Sequence, residues 1–273
     1  MGDKRFPDVP FSYINAEMTA GKTLLHAQGN LVAFSTGSPD KTTPNEDSIA
    51  VIPLADDHLI CIVADGLGGQ ASGDQASAIT TTLLVDRLTE YDYGTPDLIQ
   101  VILGSMEEAN RLLLEKSTGT ATTLAIAEIR NRSVRTYHVG DSMILVCGQR
   151  GKVKLETISH SPVGYAVEAG LVGEQESLHH DERHLVSNVI GSQDMHISVG
   201  TPVPMDPRDT LLAATDGLFD NLHKDEIIDI IRKGPLQKCG ARLIELAGQR
   251  MRGNTAPYKP DDLSFILFRP ARS

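Results

Sequence analysis

Positive charge is scarce in this chain: 25 Lys and Arg stand against 36 Asp and Glu in 273 residues, a net charge of -11. A surface of that sign repels nucleic acid and anionic membranes, so neither is expected as a partner. A phosphorylated substrate would have to be met by a local positive charge, which a bound metal ion can supply. Long apolar runs are lacking as well. None approaches the ~20 residues of a membrane span. The opening MGDKRFPDVP has no apolar stretch of a secretory signal, and Phe6 stands where a myristoylation signal wants Ser or Thr. Cysteine is sparse: Cys61, Cys147 and Cys239 are far apart, each in an apolar or helical context. They read as reduced core thiols of a cytoplasmic protein rather than the disulfide framework of a secreted one. No low-complexity tract, fixed-period repeat or linker-like boundary appears, so a single domain over residues 1–273 is expected.

What the chain does have is a composition ordinary for a soluble globular protein, 40% apolar and 22% charged. Runs with strand character lie at 29–34, 48–54, 58–64, 121–129, 132–139, 142–147, 152–158, 210–214 and 263–268. Short turns such as Arg130-Asn131 separate several of them, which favours antiparallel hairpins over parallel crossovers. Helices are expected at 73–90, after Ser72 with Gln75 three residues on, and at 96–116, opened by Thr95-Pro96-Asp97. Two more amphipathic helices are expected at 223–233 and 238–252, ending at Gly234 and Gly253. Between 159 and 195 periodicity weakens, and a flap is expected at about 159–191, with one short helix at 164–170. The class is α+β, with helices covering sheet surfaces.

The stretch ADGLGGQASG, residues 64–73, puts Asp65 at the exit of an apolar strand, with four glycines in the next eight residues. It matches a relaxed dinucleotide-binding pattern, Gly66-x-Gly68-x-x-Ala71, with Asp86 further on. A carboxylate facing a pyrophosphate, and elements that do not alternate β and α, weigh against that reading. The same placement of acid at strand ends recurs in YHVGD (137–141) and LLAATDG (211–217). NED (45–47) and PDD (260–262) precede strands in the same way. Any one alone is an ordinary turn. Five at strand termini could converge on one end of a sandwich, where crowded like charges call for cations. The donors are all oxygen, with no Cys or His pair at zinc-like spacing, so Mg²⁺ or Mn²⁺ fits best. Two such ions ~4 Å apart generate a nucleophilic water for attack on a phosphoryl group.

NEDS (45–48), VADGLGG (63–69), TGTATTLAIAEI (118–129), HVGDS (138–142), SHSPVG (159–164), ATDGLFDN (214–221) and PDDLSFILF (260–268) together resemble, in order, the motifs of the metal-dependent PPM, or type 2C, protein phosphatases. The resemblance runs from about residue 28 to 268, and the spelling DGLGG is of the bacterial type. It implies a four-layer α/β/β/α sandwich, two antiparallel sheets flanked by helix pairs, with a dinuclear Mn²⁺/Mg²⁺ centre at one end. It implies hydrolysis of phosphoserine and phosphothreonine in proteins, with a cognate Ser/Thr kinase or its targets as partners. By the same resemblance Asp65 bridges both metals and the Gly66 carbonyl binds one. Glu46, Asp216 and Asp261 bind the other, and Asp47 holds metal-bound water. Asp141, with Asp216 and Asp220, forms a weaker third site. Asp262 takes the place of a usual Asn, which leaves open which of Asp261 and Asp262 is the direct ligand.

Departures from the family pattern concern the substrate. Thr42 replaces an Arg that grips the phosphate, with Lys41 beside it as a candidate point charge. Leu67 replaces a His proposed as general acid in some members, GDSM replaces GDSR, and Ser159 replaces an Asp before His160. A pseudophosphatase, or phospho-binding regulatory module without turnover, is therefore a second expectation, and hydrolysis of small phosphate esters a third. His160 either donates to substrate or ties down the flap. His138 is expected to pack locally, and Asn221 to orient Asp216 or close a turn. His179, His180 and His184 read as solvent-exposed.

Overall fold

The computed structural model describes residues 10–39, 41–67, 73–92, 97–116, 119–177, 180, 182, 185–253 and 258–271. The capping Ser72, the glycines Gly68 and Gly69, and His179 and His184 lie outside the described residues. The chain opens with β1 (Phe11–Ile14), β2 (Lys22–His26), β3 (Gly29–Thr36), β4 (Asp47–Ala55) and β5 (His58–Leu67), then α1 (Gly73–Thr89) and α2 (Leu98–Lys116). Next come β6 (Ala121–Thr122), β7 (Leu124–Arg130), β8 (Ser133–Val139), β9 (Met143–Cys147) and β10 (Val153–Glu156). The flap carries α3 (Pro162–Glu168) and α4 (Glu174–Ser177), followed by β11 (Ser198–Val199), β12 (Val203–Pro204) and β13 (Thr210–Ala214). The chain ends with α5 (Asp216–Phe219), α6 (Lys224–Ile231), α7 (Leu236–Met251) and β14 (Leu263–Pro270).

The strands form two antiparallel sheets. One runs β1-β4-β5-β7-β8-β11, with β12 also on β8 and β6 on β5; the other runs β10-β9-β13-β14-β3-β2. Side chains alternate between sheet faces, and here both faces are buried. Ile49, Val51, Leu59, Cys61 and Val63 point inward to meet Ile144, Val146, Leu211, Ala213 and Ile266 of the other sheet. Ala50, Ile52, Ile60 and Ile62 point outward under α1 and α2, against Leu84, Leu88, Ile102 and Met106. On the far side Phe34, Leu212 and Phe265 pack under α6 and α7, against Ile227, Ile231 and Leu243. The layers are therefore α/β/β/α. Because both faces are covered, long stretches of the central strands, such as Leu59–Ala64 and Leu211–Ala214, are continuously apolar, and this is why they stand out as runs. The three cysteines are buried and free, and burial pushes the Cys61 thiol up to about 12.

Differences from the sequence-based expectations have local causes. The expected strand at 121–129 is split at Thr123, whose backbone N–H donates to Asp65 O (2.8 Å) while Thr122 bridges to Ile190. The last helix starts at Leu236 rather than 238. Pro235, with φ −62° and ψ 131°, takes the N-cap position, where a fixed φ and a missing N–H cost nothing. The flap helix starts at Pro162, because the Ser161 hydroxyl caps it by accepting from Gly164 N–H. β1 and β2 were not expected: they are edge strands, broken by polar residues, that add to β4 and β3.

Phe265 is fully buried against Phe34, their ring centroids 5.7 Å apart, in the layer between the second sheet and α7. Phe265→Ala should therefore destabilise the protein by about 3–5 kcal/mol, read as a lowered urea midpoint. A loss below ~1 kcal/mol would contradict this packing.

Candidate metal centre

Antiparallel pairing gathers the acidic residues. Asp47 opens β4 directly opposite Asp65 near the end of β5. The end of β13 lies beside the start of β14, Ala214 opposite Phe265, so Asp216 in the first turn of α5 meets Asp261. Asp141 follows Gly140, the link from β8 of the first sheet to β9 of the second. Gly140 has φ +101°, and a Cβ there would stand 2.6 Å from that of Thr123, so glycine is required for the crossing. Gly66 is required for a different reason. A Cβ on it would lie 2.0 Å from the Gly73 carbonyl at the start of α1. The pair lets β5 and the helix end come into contact beside Glu46, whose carbonyl accepts from Gly66 N–H (3.1 Å).

Burial and mutual repulsion dominate the electrostatics. Asp65 is held well above the usual carboxylate range, first by burial and then by Asp47, Asp216, Asp261 and Asp141. Asp47 is fully buried and likewise raised, by burial and then Asp262, with the hydroxyls of Ser264 and Thr215 opposing. Thr215 donates to Asp47 Oδ2 (2.9 Å), while Asp47 Oδ1 and Asp216 Oδ1 are buried with no hydrogen-bond partner. Burial and the neighbouring Asp216 push Asp141 up to about 8 and Asp261 up to about 7. Orphaned carboxylate oxygens are costly, and an all-oxygen set of this kind suits a hard divalent ion.

Two lysines border the cluster. Lys41 Nζ donates to Glu46 Oε2 (2.7 Å) and Asp262 Oδ2 (2.6 Å). Lys259 Nζ donates to Asp216 Oδ2 (2.6 Å) and pairs with Asp220 and Asp261, each at 2.9 Å. Burial disfavours the Lys259 ammonium, but Asp216, Asp220 and Asp261 outweigh it and raise its pKa. Among the described residues no group of three or more His, Cys, Asp or Glu is already arranged to hold a metal ion. The backbone brings the donors together, while Glu46, Asp216, Asp220 and Asp261 turn toward the lysines.

Glu46, Asp47, Asp65, Gly66, Asp141, Asp216 and Asp261 all reach this end of the sandwich, as does Lys41. Asp262, next to Asp47, is engaged by donors of the 38–46 loop. Its Oδ1 accepts from Ser38 N–H (2.8 Å) and its Oδ2 from Glu46 N–H (2.6 Å) and Lys41, so it clamps the 38–46 loop. His160 ties down the flap. Its Nδ1 accepts from Gly140 N–H (3.1 Å) and from the Asn188 amide (2.8 Å), and its ring stacks on His138 at 4.4 Å. Burial, with His138 and His196 nearby, lowers its pKa to about 4. His138 donates from Nε2 to Ile158 O (2.9 Å). Two residues that sequence reasoning missed are Lys259 and Thr215. A lysine two positions before Asp261 reads as a solvated charge, and the only signal was its place beside a strand-end acidic pair. A cavity of about 270 Å³ opens from Asp141, Asp216 and Asp220 toward Ile158 and Val163 at the flap.

A family model described as protein phosphatase 2C matches residues 38–246. A Listeria welshimeri protein named serine/threonine phosphatase stp is 30% identical over 197 residues, 69% of this chain and 77% of that protein. The structure of the S. agalactiae serine/threonine phosphatase superposes with a TM-score of 0.76 at 27% identity, covering 88% of this chain and 98% of the other. The catalytic domain of the serine/threonine phosphatase PstP, in complex with two manganese ions, shares the fold. Its TM-score is 0.70 at 21% identity, over 89% of this chain and 98% of that one.

The raised carboxylates carry a pH signature. Folding moves Asp141 from 3.8 to about 8, so between these values the native state binds more protons than the unfolded chain, and stability falls as pH rises. In the presence of chelator, Asp141→Asn should gain stability relative to wild type as pH rises from roughly 4 to 8. Melting temperatures at a series of pH values check this, and a difference that stays constant across the window would contradict it.

Proposed function

Since the chain belongs to the protein phosphatase 2C family, and so is a metal-dependent protein serine/threonine phosphatase, we propose that it acts through a dinuclear Mn²⁺/Mg²⁺ centre formed by Glu46, Asp65, Gly66, Asp216 and Asp261. Its substrates are phosphoproteins, and we propose further that they are the targets of a cognate Ser/Thr kinase. The observation that carries the reading is the convergence of Asp47, Asp65, Asp216 and Asp261, with two buried carboxylate oxygens lacking any protein partner. Asp261, which shares the Lys259 ammonium with Asp216, is the better candidate ligand than Asp262, whose oxygens hold the 38–46 loop through Ser38, Glu46 and Lys41. When bound, the ions supply positive charge to the phosphoryl oxygens and lower the pKa of the attacking water.

The chain's own residues do the rest. Asp65, set between β4 and the start of α1, is fixed by Thr123 Oγ1 on its N–H (3.1 Å) and Thr122 Oγ1 on its carbonyl (2.8 Å). Such locked backbone keeps the ligand geometry from relaxing. Asp47 Oδ1, free of protein partners, accepts a hydrogen bond from the attacking water and orients it toward phosphorus. Water oxygen forms the new P–O bond and gives up a proton to solvent as the bond from phosphorus to the serine or threonine oxygen breaks; that oxygen takes a proton from solvent, since Leu67 has none to give. Lys41 contributes a point charge beside the phosphoryl group, held in place by Asp262. Without the bidentate fork of Arg, phosphate capture is weaker than an Arg would provide. The flap, pinned by His160, borders the cavity beside Asp141 and sets which peptides enter.

Asp65→Ala and Asp216→Ala should each lower Mn²⁺-dependent hydrolysis of p-nitrophenyl phosphate by about 100-fold or more, with circular dichroism unchanged. Wild-type protein retaining full activity in excess EDTA would refute the metal centre.

A further inference from the structure

Lys259 plays no part in the scheme above, yet three carboxylates surround its ammonium: Asp216 at 2.6 Å, Asp220 at 2.9 Å and Asp261 at 2.9 Å. Its position is built rather than accidental. Asn221, fully buried, accepts from the Lys259 backbone N–H (3.0 Å) and donates from its amide to the Lys259 carbonyl (2.8 Å). The same amide also donates to Gly217 O (2.9 Å). One side chain thus ties the loop before β14 to the turn that carries Asp216 and Asp220. Pro260 follows directly and biases Lys259 away from helical backbone. At the opposite border Lys41 serves Glu46 and Asp262 in a similar way. Between the two lysines, Asp47 and Asp65 make no ion pair among the described residues, and Asp47 Oδ1 is buried and unpartnered.

We propose that Lys259 is a resident cation of this centre, holding the corner formed by Asp216, Asp220 and Asp261, so that a divalent ion taking Asp216 or Asp261 as ligand must displace its ammonium. The inference rests on reading the cluster as a divalent-metal centre. A tethered ammonium is present at a high and constant local concentration, so it competes with metal at every external metal level. The ion nearest Asp65 and Asp47 meets no such competitor. Binding should therefore divide into a tight step and a weaker one, with Lys259 setting the weaker. In the absence of metal the same ammonium relieves repulsion among the three carboxylates and supports the fold.

The test is calorimetric titration of Mn²⁺ into chelator-stripped protein. Lys259→Met keeps most of the length of the side chain and removes its charge, and the weaker step should tighten by about tenfold or more. Lys259→Arg keeps the charge and should not tighten it. Without metal, Lys259→Met should melt below wild type and recover more on addition of Mn²⁺. Should the stripped variant fail to fold, release of Mn²⁺ from protein purified in Mn²⁺ into excess chelator reads the same competition, and should be about tenfold slower than wild type. A wild type that binds Mn²⁺, with Lys259→Met matching it in affinity and release rate, would overturn this inference while leaving the metal centre standing. No Mn²⁺ binding by wild type or either variant would overturn both.

Discussion

Asp47 and Asp65 sit opposite one another on adjacent antiparallel strands, both buried, and the repulsion between them is the constraint around which this end of the molecule is organised. Nothing in the strand pairing relieves it. Hydrogen bonds from Thr215 and backbone N–H groups satisfy part of the cluster, but two oxygens stay unpartnered. A fold that places like charges in register must bring in cations or hold protons, and both responses are visible. Asp141 and Asp261 hold their protons up to about 8 and about 7, and two lysines flank the group. A divalent ion does the same job with more charge per site and with ligand geometry that a protein can exploit.

The sandwich makes that arrangement rigid. Both faces of each sheet are buried, so the strands cannot slip in register without exposing a full row of apolar side chains. The ends of β5, β8 and β13 and the starts of β4 and β14 are therefore fixed relative to one another, and with them the acidic residues. Close approaches complete the frame: Gly66 against Gly73, Gly140 against Thr123, and Gly217 against the Asp262 carbonyl, where a Cβ would stand 1.9 Å away. His160 extends the frame to the flap by accepting from Gly140, next to Asp141. The flap is thus linked mechanically to the backbone beside Asp141.

Much of this was legible in the sequence. Full burial of the central strands makes them uninterrupted apolar runs, and their carboxylate-bearing ends stand out against that background. The ordered motifs from NEDS to PDDLSFILF then point to the family. What escaped has physical reasons. β1 and β2 are edge strands with polar breaks, indistinguishable locally from loop. The split at Thr123 depends on a bond to Asp65 that is remote in sequence. Lys259 escaped because two of its three partners, Asp216 and Asp220, come from the β13–α6 turn, about forty residues away. The role of Asp262 as a loop clamp was left open because its neighbours Ser38 and Glu46 come from the other end of the chain. For β1, Thr123, Lys259 and Asp262 a contact remote in sequence decides, and single-sequence periodicity carries no information about it.

Direct location of bound metal tests the central claim most sharply. Anomalous scattering from crystals grown in Mn²⁺ should reveal two ions at this end of the sandwich, Asp65 touching both, with Asp216 and Asp261 on one of them and Lys259 swung away from both. Manganese found only elsewhere, or Asp65 and Asp216 contacting no ion at saturating metal, would contradict the account.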